Sequence, residues 1–323
     1  MIPKLSTVLF LFAVQAVTQN VTTCSRCEDS AHGFASLNGG TTGGKGGRTV
    51  IANNWQELRD YAAANGSLII RVNGKLTSGT PGYEIPIASH KTIIGIGKGS
   101  GILGGGFAIK ETRNIILRNL QVSDTRIPGD WPGKTEDWDG IQVDTGFNIW
   151  IDHIKFARMN DGLIDLRRDS SYITVSNCIL SEHNKALGIG WTTNVTAKVT
   201  INDNFFNSTN ARNPSADNLE MCHMYNNYFR NCTSYGTYAR GHTNLLVEHS
   251  YYDEVFDPLV AGPNASIKAN WVKFKHTEGE IMLGVNAENV FKASDYYQYS
   301  LRDPYDLPND IPYFAGPQED IGS

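Results

Sequence analysis

Ile151-Asp152-His153-Ile154-Lys155-Phe156 and, 24 positions later, Val175-Ser176-Asn177-Cys178-Ile179-Leu180 share one short pattern: apolar, polar, polar, any, any, apolar or aromatic. The pattern also occurs as Leu117-Arg118-Asn119-Leu120-Gln121-Val122, Ile201-Asn202-Asp203-Asn204-Phe205-Phe206, Met224-Tyr225-Asn226-Asn227-Tyr228-Phe229 and Val247-Glu248-His249-Ser250-Tyr251-Tyr252. In chain order, the leading residues are spaced by 34, 24, 26, 23 and 23 positions. Each copy follows an alternating stretch such as Asn148-Ile149-Trp150-Ile151 or Tyr172-Ile173-Thr174-Val175, whose period of two turns one side inward. A strand-only unit of about 22 to 26 residues predicts one coil of a parallel β-solenoid per repeat. The expected fold is therefore all-β, a right-handed parallel β-helix. Asn, His and Asp recur at the third position, and Asn204 and Asn227 share the fourth, so these side chains are expected to hydrogen-bond up the stack. A β-sandwich would show hairpins every 8–12 residues, which this chain lacks. The leucine framework of leucine-rich repeats is missing too.

The flanks differ from this core. Residues 33–49 are rich in Gly and Thr and read as a lead-in loop. Trp55 to Ala64 carries a helical face of Trp55, Leu58, Tyr61 and Ala62, a short N-terminal cap for the open end of the solenoid. Residues 66–110 hold glycine-broken apolar strands, the expected first coils. Beyond about residue 265 the repeat fades, and Pro304, Pro308, Pro312 and Pro317 mark a segment expected to lie over the outside. Gly95-Ile96-Gly97-Lys98-Gly99 and Gly39-Gly40 open no helix and lie in no βαβ unit, so they read as turns and not as phosphate loops.

A chain of 323 residues, 40% hydrophobic and 19% charged, has ample length for a large core. Its formal net charge of -5 gives it no general attraction to nucleic acid or anionic membrane. If the partner is a polyanion, a local basic site or a bridging cation must overcome the repulsion. Lys4 followed by the apolar run Val8 to Val14 and Ala16 has the form of a signal peptide over residues 1–16. The run is too short to span a bilayer. The expectation is a secreted, extracellular, monomeric protein with one domain over residues 17–323. Five cysteines (Cys24, Cys27, Cys178, Cys222, Cys232) suit an oxidising compartment and leave at least one unpaired. Cys24 and Cys27 have redox-pair spacing but no βαβ context, and no second pair that a zinc site would need, so the cysteines read as structural. Sequons at Asn20, Asn65, Asn194, Asn207, Asn231 and Asn264 would make a glycoprotein, although their number is near chance.

Charged groups gather in the middle coils. Asp161 and Asp165 fall on one side of an extended stretch, and a 22-residue coil places Asp139 near Asp161. A lone aspartate of this kind is most often a turn or cap. Three in register need a cation, and hard oxygen ligands suit calcium. Lys185 and Arg212 follow one and two coils later; either alone would read as a solvated surface charge, but stacking lines both up beside the aspartates. Abstracting the C5 proton of a galacturonate ring builds negative charge on the adjacent carboxylate, which a cation and a lysine stabilise while a neighbouring base takes the proton.

These blocks, in this order, resemble pectate lyases of polysaccharide lyase family 1. The resemblance rests on Trp138-Asp139-Gly140-Ile141, Ile149-Trp150-Ile151-Asp152-His153 and Asp161-Gly162-Leu163-Ile164-Asp165. It continues through His183-x-Lys185, Gly188-Ile189-Gly190, Arg212-x-Pro214 and His223-x-x-Asn226-Asn227-Tyr228. Gly33-Phe34-Ala35 with Leu37-Asn38-Gly39-Gly40-Thr41-Thr42-Gly43-Gly44 is similar to the family's N-terminal signature. The resemblance implies a parallel β-helix, Ca2+ held by Asp139, Asp161 and Asp165, Lys185 on the substrate carboxylate, and Arg212 as the catalytic proton acceptor. A guanidinium normally stays protonated, so Arg212 either loses a proton in a crowded cationic site or acidifies C5 by its field. The implied activity is a calcium-dependent pectate lyase cleaving polygalacturonate (pectin) by β-elimination to an unsaturated product. The chain departs from the family in having Ser215-Ala216-Asp217-Asn218 where further arginines are usual, Asn184 where an acid is usual, and one extra residue between Arg212 and His223. Losing those arginines removes substrate clamps. The rival readings are a calcium-independent pectin lyase on methyl-esterified chains and a non-catalytic wall-polysaccharide-binding β-helix. A glycoside hydrolase would need paired carboxylates without the basic partners.

Overall fold

Asn119, His153, Asn177, Asp203, Asn226 and His249, the third residues of the six repeats, all have positive φ, between 44° and 57°. Left-handed backbone is costly for most side chains and tolerated best by Asn, Asp and His after Gly. This preference favours the residue types that recur, although Trp271 makes the equivalent turn in the next coil with φ 48°. Each one turns the chain from a strand of one sheet into a strand of the next, as Phe147–Asp152 turns through His153 into Lys155–Ala157. In the computed structural model, which describes residues 24–323, repetition of this turn builds a right-handed parallel β-helix of about ten coils. The expected signal peptide, residues 1–16, lies outside the described residues.

Three parallel sheets of ten, nine and nine strands run the length of the solenoid. The first sheet starts at Arg48–Ala52 and ends at Ser266–Asn270; the third runs from Tyr83–Pro86 to Ile281–Met282. Inward side chains fill the interior in columns, and Phe206, Phe229 and Tyr252 stack with centroids 4.7 and 4.2 Å apart. The fourth repeat position carries the polar ladder expected from the sequence. Asn204 Nδ2 donates to Asn227 Oδ1 at 3.1 Å, Asn204 Oδ1 accepts from Cys178 N at 2.8 Å, and Ser250 Oγ accepts from Asn227 N at 3.3 Å. Third-position side chains meet up the stack once, where Asn226 Nδ2 donates to Asp203 Oδ1 at 3.4 Å, and they also tie down segments lying on the outside: Asn119 donates to Gln318 O and Ile321 O, and Asn226 accepts from Arg302 N.

Helix α1, Trp55–Ala63, is N-capped by Asn54, whose side chain accepts from Glu57 N at 2.9 Å. It buries Leu58 and Ala62 against the first coil and so covers the end of the core. The lead-in loop docks on the outer face of the first sheet, where Phe34 N and Ala35 N donate to the hydroxyls of Thr200 and Thr174. The C-terminal segment returns along the outside, with α2 (Leu307–Phe314) covering Phe205, Tyr228 and Tyr251. Cys24 and Cys27 form a disulfide in the lead-in segment, and Cys178, Cys222 and Cys232 are free and buried. Among the described residues no helix is long and apolar enough to cross a membrane.

Replacing Asn227 with alanine removes one hydrogen bond from each of three buried groups, Asn204 N, Asn204 Nδ2 and Ile201 O. The expected cost is roughly 2–4 kcal/mol, read from urea denaturation. A loss under about 1 kcal/mol would show that the ladder is not a stabilising element.

Candidate metal and active site

The outer face of the third sheet brings side chains from successive coils into rows. One row is Gln142, Asp165, Gly188, Ser215 and Tyr238, set by direct strand register. The next contains Asp144, Arg167 and Gly190, with Asp217 and Arg240 paired further along. Ile141 pairs with Ile164, an offset of 23 and not 22, so the coil partner of Asp139 is Gly162 and not Asp161. Gly162 N donates to Asp139 Oδ1 at 2.6 Å. A Cβ on Gly162 would lie 2.9 Å from both Asp139 Oδ1 and Asp165 Oδ1, so only glycine lets these two carboxylates converge. Asp161 precedes it on the turn. Asp139 thus lies beside both Asp161 and Asp165, through a tighter arrangement than simple coil alignment, but Asp165 is not among the acids whose oxygens come within reach of one ion.

The structure adds two acids. Asp137, Asp139 and Asp161 each offer an oxygen within 4.8 Å of the others. Glu84, two coils earlier, accepts from Asp139 N at 3.0 Å. The alternation Asp137-x-Asp139 was a usable signal for the first; nothing local marked Glu84.

Three cations face these acids. Lys185 Nζ donates to Gly133 O at 2.7 Å and to Asp161 Oδ1. Buried His183 positions it: Nδ1 accepts from Lys185 N at 2.9 Å and Nε2 donates to Met159 O at 2.8 Å. Burial pushes the His183 pKa down to about 3, so its ring is neutral and this tautomer is fixed. Arg212 has left-handed backbone (φ 60°), and its Nη1 lies 3.4 Å from Asp165 Oδ1. Arg167, which sequence reasoning missed, bonds Asp137, Asp139 and Asp165. Both arginines lie near Trp191, with guanidinium carbons 5.5 and 5.3 Å from the ring centroid. Trp191 in turn packs over Gly188, where a Cβ would come within 2.5 Å of its ring. A groove of about 250 Å³ follows, lined by Trp191, Arg212, Ser215, Asp217, Tyr235 and Arg240.

Burial drives the acids toward their neutral forms. Glu84 is raised to about 7 and Asp165 to about 6, the latter despite Arg212 and Arg167. Asp161 is raised by burial, and Asp139 is raised well above the usual range by burial and then by the charge of Asp165. Asp137 alone is held low, at about 2, by its bonds to Arg167. Crowded, desolvated carboxylates converging over a glycine are an oxygen donor set that fits a hard divalent cation such as calcium.

The family model described as pectate lyase matches residues 7–301. The pectate trisaccharide-lyase of Thermotoga maritima is 37% identical over 213 residues, 62% of this chain and 57% of that protein. The match thus spans little more than half that relative's length. Pectate lyase A of Emericella nidulans is 31% identical over 313 residues, covering 93% of this chain and 90% of the relative. The crystal structure of a pectate lyase from Bacillus sp. N165 in complex with trigalacturonate superposes with a TM-score of 0.76 at 27% identity, covering 89% of this chain and 98% of that one.

Protons and a divalent cation compete for the same oxygens. Asp165, near 6, and Glu84, near 7, gain protons as pH falls, so calcium affinity should drop between about pH 8 and about pH 5.5 by roughly tenfold. Calorimetric titration at the two pH values checks this, and equal affinities would remove these acids from the site.

Proposed function

The chain belongs to the pectate lyase family, and on that premise we propose that it is a secreted, calcium-dependent lyase that cleaves polygalacturonate by β-elimination. The observation that carries this reading is the convergence of Lys185 and Arg212 on one buried carboxylate cluster beside an open groove. The trigalacturonate complex of the Bacillus relative supports the substrate class, and the apolar run Val8 to Val14 supports export.

Lys185, fixed by Gly133 O and by the His183 ring, pairs with the carboxylate of the uronate to be cleaved. Bound by Asp137, Asp139 and Asp161 beside Asp165, calcium would supply the positive charge that stabilises the enolate-like carboxylate. Arg212, oriented by Asp165 and lying against Trp191, first gives one guanidinium proton to solvent and, as the neutral guanidine, takes the C5 proton. The C5–H electron pair forms the C4–C5 double bond, the bond from C4 to the glycosidic oxygen breaks, and water protonates the departing oxygen. The C5 proton leaves Arg212 as the guanidinium it began as. The paired carboxylates are held in contact with cations, an arrangement unlike the separated acid and base of a glycoside hydrolase.

Ultraviolet absorbance of the unsaturated product, followed on polygalacturonate with calcium and then with chelator, tests this directly. Absorbance should rise with calcium and stop with chelator, and Arg212→Ala should lower the rate by roughly 10³ without loss of fold. Turnover of methylated pectin indifferent to chelator would replace this reading with a calcium-independent pectin lyase. Binding without turnover on either substrate would leave a wall-polysaccharide-binding module.

A further inference from the structure

Arg167 reaches further into the carboxylates than any other cation near them. Its Nη2 donates to Asp137 Oδ1 at 2.5 Å, Asp139 Oδ2 at 2.9 Å and Asp165 Oδ2 at 3.2 Å; Nη1 donates to Asp137 Oδ2 at 2.8 Å. Its Nε is buried without an acceptor, the only such side-chain atom among the described residues. Buried donors are normally satisfied. Here the guanidinium is turned so that one nitrogen serves three acids and another donor is left unmet.

The oxygens that lie within reach of one ion belong to Asp137, Asp139 and Asp161. Arg167 already bonds two of those three residues. Three further oxygens are engaged as well: Asp139 Oδ1 by Gly162 N, Asp161 Oδ1 by Lys185, and, on the neighbouring Asp165, Oδ1 by Arg212. A divalent cation at these oxygens would share its ligands with the guanidinium and lie close to it, where like charges repel strongly.

We propose, resting on the calcium-dependent reading above, that Arg167 is a positioning residue that competes with the divalent cation for Asp137, Asp139 and Asp165. In the cation's absence it holds the mutually repelling carboxylates together. In its presence it sets the affinity of the site well below what the carboxylates alone would give. The ring of Trp191, 5.5 Å from the guanidinium carbon, offers the displaced group a second favourable contact.

The test is calorimetric titration of metal-stripped protein with calcium chloride, for wild type, Arg167→Met and Arg167→Lys. Arg167→Met should bind calcium at least about tenfold more tightly than wild type. Its melting temperature should be lower in chelator and recover with calcium. A purely structural role would leave affinity equal or weaker, and that result overturns the proposal. Should Arg167→Met fail to fold, Arg167→Lys decides: one ammonium cannot span three acids as the fork does, so affinity should rise about threefold or more. Wild-type affinity in that variant overturns the proposal. If neither wild type nor variant binds calcium, the calcium reading itself fails; if wild type binds and the variants gain nothing, only the role of Arg167 fails.

Discussion

Every strand between the two ends of the solenoid hydrogen-bonds to the coil above and the coil below, and that demand fixes the spacing of the side chains on its surface. Parallel neighbours sit about 4.8 Å apart, so residues in equivalent positions on adjacent coils are held at roughly that distance whatever their charge. Inside, the consequence is favourable: Phe206, Phe229 and Tyr252 stack face to face in successive coils. Outside, it is costly for like charges. Two carboxylates at that separation repel by about 3.5 kcal/mol at an effective dielectric of 20. The solenoid therefore makes an acidic cluster easy to assemble and hard to keep unless cations are supplied.

The surface around the cluster follows from that imbalance. Five carboxylates, Glu84, Asp137, Asp139, Asp161 and Asp165, face three basic side chains, Arg167, Lys185 and Arg212. A divalent cation would close the difference of two charges. Burial raises Glu84 and Asp165 into the range near neutrality, so that protons offset part of the remaining charge as pH falls. Glycine is as necessary here as charge. At Gly162 it admits two carboxylates and at Gly188 it admits the Trp191 ring, so the motif glycines shape the site without contributing a functional group.

The repeat was legible because Asn, Asp and His, which tolerate left-handed backbone well, recur at one turn position across six copies. Inward alternation then gave the strands, and the Asn54 cap and apolar face gave α1. Asp139, Asp161, Asp165, Lys185 and Arg212 were picked out by type and spacing; in the structure Lys185 contacts Asp161 and Arg212 contacts Asp165, while the acids within reach of one ion are Asp137, Asp139 and Asp161. The exact register was not legible, because coil length varies at the turns: a shift of one residue exchanges Asp161 for Gly162 as the neighbour of Asp139. Arg167 was passed over because it ends a strand as one of two adjacent arginines, Arg167 and Arg168, and a charge at a strand end usually lies in solvent. Glu84 lies 55 residues before its partner Asp139, beyond any local pattern.

The longest interval in the repeat, 34 residues between Leu117 and Ile151, is the one that builds the wall of the site. Its extra length forms a loop between the strands Gln121–Ser123 and Ile141–Asp144. Buried Asn160 holds that loop against the coil, accepting from Ile127 N at 3.1 Å and donating to Glu136 O at 2.9 Å. Asp130 closes it from within through Lys134 N and Thr135 N. So pinned, the loop delivers Gly133 O to Lys185 and the Asp137 carboxylate to Arg167. Regular coils supply a flat row of side chains at fixed spacing, but they cannot enclose an ion or aim a lysine. One irregular turn, tied to the regular ones by an asparagine and an aspartate, gives the row its third dimension.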